Sequence, residues 1–120
     1  MWTYNSTSGN LLHNGNYVGT GYSGNGQGLD DPDYEAVQSI GPIPRGSYSV
    51  GRFFDDPEGK GPLVAHLTPD PETNTFGRSG FMIHGDNVAL NHSASHGCII
   101  LARALREQIL ASPDRTLRVI

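Results

Sequence analysis

The chain has 120 residues, with Lys+Arg 8 against Asp+Glu 12 and a formal net charge of −4. This length suits one domain around one core, and an acidic balance with no basic run argues against a phosphate backbone as partner, so no nucleic acid is expected. No apolar run approaches the ~18 residues of a membrane span, and the opening MWTYNSTSGN lacks the basic and apolar regions of a signal peptide. The expectation is a protein made in the cytoplasm that, if it acts elsewhere, is carried by a dedicated route.

Gly 16 and Pro 8, spread between short apolar runs, predict many short strands and tight turns, hence a mainly β (α+β) domain spanning residues 1–120. In chain order, LLHNGNYV places Asn14-Gly15 between two apolar segments. That pair suits a type I′ turn, which needs positive φ at both central residues, and predicts a hairpin within residues 10–19. GTGYSGNGQGLDDPD follows as an ordered irregular loop. Its Gly19, Gly21 and Gly24 satisfy the G-x-G-x-x-G spelling of dinucleotide sites, but more glycine follows rather than a helix start to receive a pyrophosphate, so they read as turn glycines. GPIPRGSY (41–48) reads as a rigid corner. Further strands are predicted at 47–54, 62–68, 80–84 and 116–120, each rich in branched or aromatic residues. ILARALREQILAS places Leu101, Leu105 and Ile109 at helical spacing and stops at Ser112-Pro113, predicting one amphipathic helix that starts near Leu101.

Chemistry-bearing residues concentrate in IHGDNVALNHSASHGCII (83–100), which contains three of the five histidines and the single cysteine. His84, Asp86, His92 and His96 offer imidazole and carboxylate donors, but without H-E-x-x-H or C-x-x-C spacing; no metal or other cofactor is expected. Cys98 has two readings that the residues leave open. It is a small apolar filler in CIIL, or a nucleophile whose thiolate is favoured by His84 and by the start of the predicted helix, beside a Gly97 that lets backbone N–H groups approach a substrate oxygen. His66 reads as a core histidine and His13 as hairpin surface.

HG followed by a loop and SHGC, here His84, Gly85, Ser95, His96, Gly97 and Cys98, resembles the signature of L,D-transpeptidases, cysteine enzymes acting on the peptide stems of peptidoglycan. Those enzymes usually carry Arg or Asn two places after the cysteine, where this chain has Ile100. WTYNSTSGNLL, GTGYSGNGQG, GPIPRGSYSVG, GRSGFMIHGD and SHGCIIL, in that order, are similar to the L,D-transpeptidase-related effectors that some Gram-negative bacteria inject by type VI secretion. The resemblance implies a small, mostly β, L,D-transpeptidase-like domain with one helix after the cysteine. The implied reaction is cleavage of the diaminopimelate to D-alanine bond of tetrapeptide stems, or exchange of that D-alanine. It also implies three partners, namely peptidoglycan stem peptides, a secretion apparatus and a cognate immunity protein, and action in the periplasm of a recipient bacterium.

Carried over residue by residue, the resemblance makes Cys98 the nucleophile and His84 its general base. Gly85 offers its carbonyl to the other imidazole nitrogen, and backbone N–H groups around Gly97 and Cys98 form the oxyanion hole. Ser95 and His96 join the substrate-binding side, Ser95 by ordering the loop, and Arg78 pairs with a stem-peptide carboxylate.

Overall fold

The computed structural model describes residues 1–57, 59–87 and 94–120. Ten strands occupy them: β1 (Trp2–Tyr4), β2 (Asn10–His13), β3 (Asn16–Thr20), β4 (Tyr22–Ser23), β5 (Gly46–Val50), β6 (Phe54–Asp56), β7 (Gly61–Pro69), β8 (Met82–His84), β9 (Ile99–Ile100) and β10 (Thr116–Val119). The helix α1 spans Arg103–Ala111, and short 3-10 turns cover Gly26–Gly28 and Pro32–Tyr34. The strands hydrogen-bond in the order β3-β2-β1-β10-β5-β7-β8-β9-β4, with β6 on β7. The protein is thus a mainly β domain with one helix.

The predicted hairpin forms as β2 and β3, with Asn14 at φ 50° and Gly15 at φ 85°, the positive values a type I′ turn demands. The run at 47–54 divides, ending β5 at Val50 and resuming at Phe54 as part of β6. Gly51 marks the break, its N–H given to the His66 carbonyl at 2.8 Å. The helix begins later than its apolar spacing predicts. Leu101 donates its N–H to the His84 carbonyl at 3.0 Å, prolonging the β8–β9 pairing, and Ala102 is still extended at φ −60°, ψ 154°. Leu101 is a core residue just outside the helix, whereas Leu105 and Ile109 lie within it and face inward.

Alternation along β8 and β9 sorts the side chains into two apolar clusters. Ile83 and Ile99 join Trp2, Tyr4, Leu11, Tyr48, Leu101, Leu105, Ile109, Leu117 and Val119 in the main core. Met82, Cys98 and Ile100 point the other way, with Tyr22 and Val64. Strands covered on both faces read as unbroken apolar runs, which is why FMIH and CIIL show no period of two.

Two histidines sit differently from their sequence reading. His66 is exposed and stacks on Phe54 with ring centroids 5.2 Å apart, so it is no core histidine; the branched residues around it place the neighbours, not His66, inward. His13 is half-buried, stacked on Trp2 at 3.9 Å with Nε2 3.0 Å from Asp114, and ties the hairpin to the start of β10.

Candidate functional site

β8 and β9 run parallel, with Ile83 opposite Ile99 and His84 opposite Ile100. Extending that register by one residue sets Cys98 opposite Met82, so His84 and Cys98 share a face as diagonal neighbours, their Cα atoms roughly 8 Å apart by strand geometry. Both are buried, at 3% and 8% exposure.

His84 Nδ1 lies 2.8 Å from the Gly85 carbonyl oxygen. A carbonyl can only accept, so Nδ1 carries the proton and Nε2 is the lone-pair nitrogen. Nε2 is buried and, among the described residues, has no hydrogen-bond partner. Burial is the main cause that lowers the His84 pKa; the bond to Gly85 and the Asp86 charge oppose it, while Lys60 and Arg106 act with it. His84 therefore rests as a neutral base.

Cys98 differs from its sequence expectation. It precedes β9 rather than opening the helix, so four residues lie between it and Arg103, and a helix-start activation does not follow. Burial pushes its thiol pKa up; a backbone hydrogen bond from Met82 and the charges of Lys60 and Arg78 pull only partly against this. The thiol lies 3.8 Å from the Gly80 carbonyl oxygen, a long contact for a sulfur donor. The resting pair is thus a neutral thiol and a neutral imidazole.

The turn before Cys98 is built on Ser95. Its hydroxyl accepts the N–H of Gly24 at 2.9 Å and of Gly97 at 3.1 Å, and donates to the Cys98 carbonyl at 2.6 Å. Asn25 Nδ2 adds bonds to the carbonyls of Ser95 at 2.7 Å and Ser39 at 2.8 Å. Two readings change as a result. Ser95, fully buried, orders the turn and is not on the substrate-binding side. The Gly97 amide is already committed to Ser95 Oγ, so it is not a free oxyanion donor.

Gly97 has φ +126°, and a Cβ there would fall 2.4 Å from Arg78 Nη2. Both the backbone angle and the space require glycine. Arg78 itself is 5% exposed and spends its guanidinium on four carbonyls: Glu35 at 2.6 Å, Pro42 at 2.8 Å, Gly41 at 2.9 Å and His96 at 3.3 Å. It fastens the GPIPRG corner to the turn that carries Cys98, and it is not available as a carboxylate clamp. His96 is exposed, with Nδ1 3.2 Å from the Ser39 carbonyl.

Two clefts open here. One, of about 210 Å³, is lined by Cys98, Gly97, Phe81, Ser79 and Gln38 among others; the second, of about 280 Å³, by His84, Gly85, Asp86 and Ala94. Lys60 and His96 line both. A larger groove of about 480 Å³ lies behind Ile100 and α1 and contains neither Cys98 nor His84. Arg106, buried in the wall of that groove, donates to the carbonyls of Leu101 at 3.1 Å, Pro62 at 2.8 Å and Leu63 at 2.9 Å. It thereby couples α1 to the strand that follows Lys60, and a Cβ on Gly85 would meet its guanidinium at 2.7 Å. Lys60 and Arg106 escaped the sequence reading. The available signals were a lysine between two glycines and an arginine within the inward stripe of an amphipathic helix.

Among the described residues no three His, Cys, Asp or Glu side chains cluster closely enough to hold a metal ion, and His92 lies outside those residues. Asp86 instead accepts from Tyr22 Oη at 2.6 Å.

Residues 18–118 match the Tlde1 domain. The chain belongs to the Tlde1 domain family. This is a family of type VI secretion effectors, and membership implies delivery into target cells by the secretion apparatus together with a companion immunity protein. No curated protein matches the chain. No helix among the described residues is long and apolar enough to cross a membrane.

Proposed function

We propose that this effector is an L,D-transpeptidase-like cysteine enzyme acting in the recipient's periplasm on the tetrapeptide stems of peptidoglycan. The reading is supported above all by one observation: a buried, unpartnered His84 Nε2, fixed as the basic nitrogen by the Gly85 carbonyl, on the same strand face as Cys98. A thiol and an imidazole so arranged suit general-base-assisted acyl transfer.

In this scheme substrate entry brings a carbonyl carbon against Cys98 Sγ. His84 Nε2 takes the thiol proton as sulfur bonds to that carbon, and the carbonyl electrons move onto oxygen, which accepts from donors around Cys98. With the Gly97 amide engaged by Ser95, those donors narrow to the Cys98 amide and side chains facing the cleft. The carbon–nitrogen bond then breaks, and His84 returns the proton to the departing D-alanine amine. Water resolves the resulting thioester to a tripeptide; a D-amino acid resolves it to an exchanged tetrapeptide.

Purified muropeptides incubated with the protein and read by mass spectrometry test this. The wild type should remove or exchange D-alanine, while Cys98→Ala and His84→Ala should lower the rate by at least about a hundredfold, the scale expected of a general base alone. Intact tetrapeptides alongside cut glycan strands, or alongside a cut amide to muramic acid, would contradict the substrate.

A further inference from the structure

The cations near the site are unequal. Arg78 is buried with Nη1 and Nη2 both on backbone carbonyls, and Arg106, buried with Nε and Nη1 on backbone carbonyls, lines neither the Cys98 cleft nor the His84 cleft. Lys60, the chain's single lysine, is exposed on the β6–β7 turn and forms no ion pair among the described residues. Its backbone is nonetheless pinned, with the Lys60 N–H on Asp56 Oδ2 at 3.2 Å and the Leu63 N–H on Asp55 Oδ1 at 3.1 Å. Lys60 borders the cleft of Cys98 and the cleft of His84 alike. The acid that shares the second cleft, Asp86, is engaged by Tyr22 Oη and by the Asn87 N–H at 2.9 Å. A positive charge where nucleophile and base clefts meet, without a counter-ion among the described residues, is suited to an external anion.

We propose that Lys60 is a specificity-determining residue that binds the free carboxylate of the residue leaving from, or entering at, the carbonyl attacked by Cys98. The location rests on the proposed function, because in acyl transfer the departing amine passes from the thiol side to the base side, where Lys60 lies. In a terminal D-amino acid the carboxylate is one carbon removed from that amine. Recognition at this point favours trimming or exchange of a chain's last residue, and disfavours an internal bond, whose next group is an uncharged amide. A free amino acid acceptor carries the same carboxylate, so one cation serves departure and entry.

The test uses two alkylating reagents that differ only in charge, iodoacetate and iodoacetamide, on the intact chain. Lys60→Met should lower the iodoacetate-to-iodoacetamide rate ratio at Cys98 roughly two- to fivefold, the range of one exposed ion pair, and Lys60→Arg should retain it. Loss of thiolate slows both reagents together and leaves the ratio unchanged. Lys60→Met should also raise KM for a peptide ending in D-alanine but not for the same peptide ending in D-alaninamide. An unaltered ratio in Lys60→Met, or an equal fall in Lys60→Arg, would overturn the proposal. A shifted ratio in a protein whose wild type ignores tetrapeptides would keep the carboxylate site and refute only the substrate. Lys60 is exposed, so neither change removes core packing.

Discussion

At the scale of single residues, Cys98 and His84 are each held uncharged by burial, and this selects among mechanisms. A preformed thiolate–imidazolium pair needs a thiol pKa below that of the imidazole. Here burial moves the thiol up and the imidazole down, away from that order. In the proposed reaction, proton transfer is then coupled to attack, with His84 as general base. Two pH profiles follow. Alkylation of Cys98 by neutral iodoacetamide should have its midpoint above the ~8.5 of a free cysteine. Because protonated His84 cannot accept the thiol proton and its pKa is lowered, kcat/KM should fall on the acid side only below the ~6.5 of an unperturbed imidazole. An alkylation midpoint well below 8.5, or an acid limb above 6.5, would instead indicate a resting ion pair.

At the scale of elements, the turn from Ala94 to Cys98 is held by bonds that its own sequence does not reveal. The hairpin at Asn14-Gly15 and the strand that ends at His84 were legible because each depends on neighbours in sequence: a turn pair with the required φ, and a branched, apolar run closed by a glycine. The partners of Ser95 come from Gly24 and Asn25, and those of Arg78 from residues 35–42, which only the fold brings near. Arg78 therefore read as a carboxylate binder when its donors are spent on carbonyls, and Gly97 read as an oxyanion donor when its amide is taken. The β9 strand was hidden for a related reason: Leu101 fits the helical stripe of Leu105 and Ile109, yet pairing with β8 overrides that local preference. Ser95→Ala tests the turn. It leaves two buried N–H groups without their acceptor, at about 1–3 kcal/mol each where water cannot substitute. We expect a melting temperature several degrees lower and a loss of turnover larger than the stability change explains, since the Gly97–Cys98 backbone is freed. Ser95→Ala with wild-type turnover would show that Arg78 alone suffices to set the turn.

At the scale of the whole molecule, the family match begins at residue 18, yet the fold does not. β1 lies between β2 and β10, pairing Trp2 with Leu117 in parallel and with His13 in antiparallel register. Trp2, Tyr4 and Leu11 are 2%, 0% and 1% exposed and join the same core as Leu105 and Ile109 of the helix. Trp2 Nε1 also donates to the Asp114 carbonyl at 3.2 Å, and the Ile120 amide donates to the Tyr4 carbonyl at 2.9 Å, so the first strand closes the last one. Burying three such side chains contributes about 1.5–3 kcal/mol each, a sum comparable with the ~5–15 kcal/mol that separates folded from unfolded states in ordinary domains. Removing them would also bare the edge of β10 and invite association. A chain of residues 18–120, which retains all of the family match, Cys98, His84 and Lys60, should therefore fail to give a cooperative thermal transition by circular dichroism, and should be inactive for want of a fold rather than of a catalytic group. A cooperative melt within a few degrees of the full chain would show that β1 and β2 are an accessory layer and that the core begins at β3.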